Sequence, residues 1–164
     1  MKTLIAAFTG TLLAAVAIPM AFATESPGSA TSDEAPPFAI EDFTYPGADS
    51  ILATKGIKLE KGDGHILLAE CDYAADQIRV STVKDTTAGR ADLYCFRATG
   101  PTGYVTLTLP RVFALEASDH PISADLTANG QTQTVDVAEG GWKAVGEGTA
   151  GGAQSVLIEI RVTG

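Results

Sequence analysis

The chain has 164 residues, 45% of them hydrophobic and 19% charged, and its 20 Asp and Glu against 11 Lys and Arg leave a formal net charge of −9 at pH 7. A surface so negative repels the phosphate backbone of nucleic acids and anionic lipid headgroups, which excludes both as partners. The length suits one domain of ordinary size and not two.

Residues 1–23 read as a secretory signal peptide, with Lys2, an apolar run from Leu4 to Ile18, and Ala21-Phe22-Ala23 as a small-x-small cleavage site before polar Thr24. The run is shorter than the ~20 residues of a membrane span, and no later stretch approaches that length. The expectation is a secreted, extracellular chain with no membrane attachment after cleavage. Thr24 stands where a lipid anchor would require Cys. Residues 24–37 are built from Ser, Thr, Gly, Pro, Asp and Glu with no aromatic, too little apolar surface to offset the entropy of ordering, and read as a disordered linker. Phe38 then opens a single domain, 38–164.

Inside that domain Asp49 caps a short predicted helix over Ser50–Lys55, stopped by Gly56. Gly62-Asp63-Gly64 lies between alternating residues and predicts a hairpin turning at Asp63-Gly64. Leu59 would then face Leu68, with Ile57, Leu59, Ile66 and Leu68 on one surface. Strands follow at Ile78–Val83, Leu93–Ala98, Tyr104–Leu109 and Val112–Ala117. A second hairpin turns at Asn129-Gly130 and pairs Leu126 with Gln133, Ala124 with Val135 and Ile122 with Val137, leaving Ser123, Asp125, Thr134 and Asp136 outward. Trp142 follows Gly140-Gly141 in a predicted loop, and Gly146–Gly152 continues it. The last strand, Ser155–Val162, alternates Val156, Ile158, Ile160 and Val162 against Leu157, Glu159 and Arg161. Eight or nine short strands with one short helix predict an all-β antiparallel β-sandwich, with a β-barrel as the alternative. An immunoglobulin domain is disfavoured because Trp142 lies after both cysteines instead of between them.

Cys71 and Cys95 are the only cysteines, and in an oxidising compartment they are expected to form a disulfide. Their spacing matches neither a redox C-x-x-C nor a four-ligand zinc pattern.

The segments Phe43-Thr44-Tyr45-Pro46-Gly47-Ala48-Asp49, Gly56-Ile57-Lys58-Leu59 and Gly62-Asp63-Gly64-His65-Ile66 through Cys71, with Cys95-Phe96 and Gly103-Tyr104, resemble the pattern of an uncharacterised group of small secreted proteins typical of actinobacteria. The likeness covers most of the chain after residue 23. The group has no assigned activity, so the resemblance implies export and a common fold and supplies no catalytic residues.

The chemistry-bearing residues are sparse. His65 and His120 would need a nucleophile and a carboxylate beside them for serine hydrolysis, and no serine stands in a G-x-S-x-G elbow. Twenty acids allow many carboxylate pairs for glycoside hydrolysis without selecting one. Glu116, Asp119, His120 and Asp125, or Asp63 with His65, offer ligands suited to calcium, but turn formation and solvation are the preferred account of them. No catalytic residue, metal site or cofactor is therefore assigned, and the chain is not expected to be an enzyme. Trp142, Tyr45 and Tyr104, which like Tyr73 lie near strand ends, form the candidate recognition surface. A core plug is the competing role of a lone Trp. The functional expectation is a non-catalytic binding module for a cell-envelope polysaccharide or an extracellular protein. An extracellular structural or scaffold protein is the alternative. A small hydrolase, or a protease inhibitor presenting the loop Lys84–Asp92, is the third reading.

Overall fold

The computed structural model describes residues 43–73 and 76–164; the expected signal peptide (1–23), linker (24–37) and domain start at Phe38 lie outside these residues. The period-two patterns become ten strands in two five-stranded antiparallel sheets, stacked as a β-sandwich. Sheet A runs in the order β1 (Lys58–Gly62), β5 (Thr102–Pro110), β10 (Val156–Thr163), β7 (Ile122–Ala128), β8 (Gln131–Val137). Sheet B runs β2 (Ile66–Ala69), β4 (Leu93–Ala98), β3 (Gln77–Thr82), β6 (Val112–Ala117), β9 (Trp142–Ala144). Among the described residues no strand pairs from one sheet to the other, so the sheets do not close into the alternative barrel.

Phe96, Ile78, Leu115, Leu107, Ile122 and Ile160 fill the space between the sheets, each less than 3% exposed. Burial of side chains of this size is worth ~1.5–3 kcal/mol apiece and is the main force holding the layers together. The Asn129-Gly130 hairpin has the expected register, with Ile122, Ala124 and Leu126 opposite Val137, Val135 and Gln133. Its turn has φ of 51° at Asn129 and 77° at Gly130, both positive as the tight hairpin turn requires. Ser123, expected to point outward, is nonetheless buried, with Arg161 and Asp136 opposite it on the two neighbouring strands.

Three local expectations are corrected. The helix α1 spans Ala48–Lys55, its N-cap is Gly47 with no side-chain cap, and Asp49 lies within its first turn; Gly56 ends it as expected. The Gly62-Asp63-Gly64 segment is not a hairpin, because β1 pairs with β5 and β2 pairs with β4, so the turn is a corner between sheets. Gly64 has φ 83°, but Asp63 is not among the positive-φ residues, so the tight hairpin turn is not made. The Asp63 carboxylate instead accepts hydrogen bonds from the backbone N–H of His65 (3.1 Å) and Tyr104 (3.2 Å), tying the corner to β5. Ile57, Leu59 and Ile66 are buried and Leu68 is half-buried, but Leu59 belongs to sheet A and Ile66 and Leu68 to sheet B, and not to the one surface expected. In β10 a bulge between Leu157 and Glu159 interrupts the alternation, so Leu157, Ile160 and Val162 face the core and Ile158 is only half-buried.

The edges of the sandwich differ. Beyond β1, Phe43–Tyr45 adds a short pairing, with Tyr45 N–H donating to Glu60 O and Gly62 N–H to Phe43 O. At the other side, β8 closes sheet A with no further strand among the described residues.

Candidate functional site

Residues directly opposite across antiparallel strands project to the same face of a sheet. On sheet B, Ala69 pairs with Cys95, Cys95 with Arg79, Arg79 with Glu116, and Glu116 with Trp142. Their neighbours Phe96, Ile78 and Ala117 face the core, so this row crosses the outer face through all five strands.

The row carries a fixed charge pair. Arg79 Nε donates to Glu116 Oε2 (3.0 Å) and Nη2 to Oε1 (2.6 Å), a two-pronged contact. The guanidinium holds the Glu116 carboxyl below its ordinary pKa, and the carboxylate raises that of Arg79. Arg79 is largely covered, whereas the Glu116 side chain is 39% exposed, so the carboxylate keeps an open flank. Arg79 Nη1 is buried and makes no hydrogen bond.

Above Arg79 lies the ring of Tyr73, its centroid 5.3 Å from the guanidinium carbon, within cation–π range. Tyr73 is 74% exposed and has φ 58°, an uncommon conformation for a bulky residue. The segment approaching it is held from three sides. Cys71 is disulfide-bonded to Cys95, as expected, with Cα atoms 5.2 Å apart. Gln77, fully buried, donates from Nε2 to Glu70 O (2.7 Å) and accepts at Oε1 from the N–H of Asp72 (3.4 Å) and Tyr73 (3.2 Å). Arg97 forms ion pairs with Asp72 (3.2 Å) and Asp76 (2.8 Å). At the opposite end of the row, Trp142 is 63% exposed and borders a cleft of about 440 Å³ shared with Pro121, Asp136, Gly141 and Lys143. It lies in the short edge strand β9, not in the predicted loop, and is not a core plug. A second cleft, of about 540 Å³, opens beside Ala69, Cys71, Leu93 and Cys95.

The three aromatics selected from sequence do not come together. Trp142 is on the outer face of sheet B. Tyr45 is in the core at 6% exposure, where its hydroxyl accepts the Leu68 N–H (2.7 Å) and burial raises its pKa, so it spans the gap between the Phe43–Tyr45 pairing and β2 and offers no stacking face. Tyr104 is half-buried and pairs with Arg161 in sheet A, so it belongs to the opposite layer. Tyr73, which the sequence places near a strand end with the others but does not single out, is the second exposed aromatic of this face. Its position depends on the expected disulfide and on the buried Gln77, whose contacts no local pattern signals.

The remaining candidates are dispersed. His65 Nδ1 is 3.7 Å from Asp63 and His120 Nε2 is 3.9 Å from Asp119. Asp125 lies on sheet A, where Arg161 and Thr134 bind it, whereas Glu116 is on sheet B. Among the described residues no group of three or more His, Cys, Asp or Glu is placed to share a metal ion. The loop Lys84–Asp92 is closed on itself, with Asp85 and Arg90 exchanging backbone hydrogen bonds (3.0 and 2.8 Å) and Asp85 Oδ1 accepting from Thr87 and Ala88. No protein-family model and no curated protein matches the chain.

Proposed function

We propose that the protein is exported and that its sandwich is a non-catalytic module that binds an extracellular polysaccharide, most simply one of the cell envelope, through the outer face of sheet B. The single observation behind this is Trp142, a large aromatic left 63% exposed in an edge strand beside a cleft, on the same face as an ordered Arg79–Glu116 pair. Rigid aromatic faces next to fixed polar groups bind with little ordering cost. The leader pattern of residues 1–23 and the Cys71–Cys95 disulfide support export. Among the described residues no helix is long and apolar enough to cross a membrane.

The test is retention of the purified protein on cell-wall polysaccharide, compared with Trp142→Ala. Retention by the wild type and its loss in the variant support binding. Retention by neither favours an extracellular scaffold, and equal retention by both moves the site off sheet B.

A further inference from the structure

Tyr73 stands over Arg79 in β3, and Trp142 lies two strands away in β9. Two inter-strand steps separate these positions by about 10 Å, more than a single sugar ring covers. Between them the open flank of Glu116 presents acceptor oxygens whose direction Arg79 fixes. The pair is neutral as a unit, and the molecule around it carries a net charge of −9.

We infer that the ligand is a linear, uncharged oligosaccharide laid across the strands, with separate sugar rings stacked on Tyr73 and Trp142 and a hydroxyl of the intervening unit donating to Glu116. This rests on the polysaccharide reading above and specifies its substrate class. A monosaccharide reaches only one aromatic. An acidic polymer meets the negative field of the whole chain, and the cations near the row are already engaged: Arg79 by Glu116, Arg97 by Asp72 and Asp76, and Lys143 by the Asp136 carbonyl. The anchoring of Tyr73 in an uncommon backbone conformation, by a disulfide and a fully buried Gln77, is what a preformed stacking platform requires.

The experiment is an array of neutral, uronic-acid and sulfated oligosaccharides, followed by calorimetry with the best neutral hexasaccharide and its monomer. Wild type, Tyr73→Ala and Trp142→Ala are compared. Both side chains are exposed, and matching circular dichroism spectra check that the variants fold. The expected result is binding to neutral linear glycans, a gain in affinity from monomer to hexamer, and about tenfold weaker hexamer binding in each variant. Hits confined to acidic sugars, or a Tyr73→Ala variant that binds the hexamer like wild type while Trp142→Ala does not, overturn this inference and leave the polysaccharide reading standing. Retention of no glycan by the wild type defeats both.

Discussion

Removing the disulfide by the double substitution Cys71→Ala/Cys95→Ala tests how the Tyr73 platform is held. The two residues are 24 apart in sequence, and closing a loop of that size restricts the unfolded chain by about 3.5 kcal/mol in the chain-entropy account. For roughly 120 folded residues the unfolding entropy is about 0.25 kcal/mol per kelvin. The expected fall in Tm is therefore about 14 °C. Alanine is the appropriate replacement because Cys95 is 1% exposed, and a serine hydroxyl there would add a burial penalty unrelated to the crosslink. Gln77 and Arg97 still hold the loop in the folded state, so the native near-UV spectrum should change little while stability drops. Thermal melts of the variant, and of wild type with and without reductant, measure the shift. A change below about 4 °C, equivalent to about 1 kcal/mol, would refute the argument that the crosslink acts by restricting the unfolded chain.

Gly56→Ala should destabilise much more than Gly64→Ala, although both glycines have positive φ (63° and 83°). A Cβ at Gly56 would lie 2.6 Å from Ala88 O, whereas at Gly64 nothing stands within 4 Å. Backbone strain alone predicts ~1 kcal/mol at Gly64, and overpacking adds ~1–3 kcal/mol at Gly56; equal denaturation midpoints for the two variants would contradict this. Acid should weaken the fold. Arg79 lowers the pKa of Glu116, Arg111 that of Glu147, and Thr87 hydrogen bonding that of Asp85, so the stability these groups contribute is complete above the unfolded carboxylate range and is lost as pH falls through their lower folded values. Tm should be nearly constant from pH 7 to about 5 and decline below about 4, and a Tm that rises between pH 5 and 3 would reverse the sign of the argument.

The sequence was most legible where one local rule determined one local geometry. Asn129-Gly130 prescribes its turn and with it seven cross-strand pairs, and Leu93–Ala98 and Val112–Ala117 have the bounds their alternation gives. Gly62-Asp63-Gly64 misled because the same residues serve a hairpin or a corner, and the choice was made by Tyr104, 41 residues away, through its N–H bond to Asp63. The β10 bulge was hidden because Val156, Leu157 and Ile158 are all apolar, so hydrophobicity alone cannot show which of them turns inward. The site was half legible: Trp142 was selected, but as a loop residue, since a three-residue edge strand after two glycines has no period to read. Tyr73 is legible only as an aromatic near a strand end, because its place over Arg79 is set by the Gln77 hydrogen bonds and the guanidinium of β3, which no period shows.

The unequal margins of the sandwich bear on how the molecule behaves in concentrated solution. β1 has its outer amides partly occupied by Phe43–Tyr45, but the seven-residue edge strand β8, Gln131–Val137, exposed except at Val135 and Val137, contains no lysine, proline or bulge to repel a like strand. Asp136 is the one charged residue within the strand, and Lys143 Nζ donates to its carbonyl (2.8 Å), so mutual repulsion between copies depends largely on the negative charge of the whole molecule. Near pH 4.5, where the sequence carries about no net charge, that repulsion is weakest, and β8 is the edge at which self-association is expected first, as light scattering across pH would show.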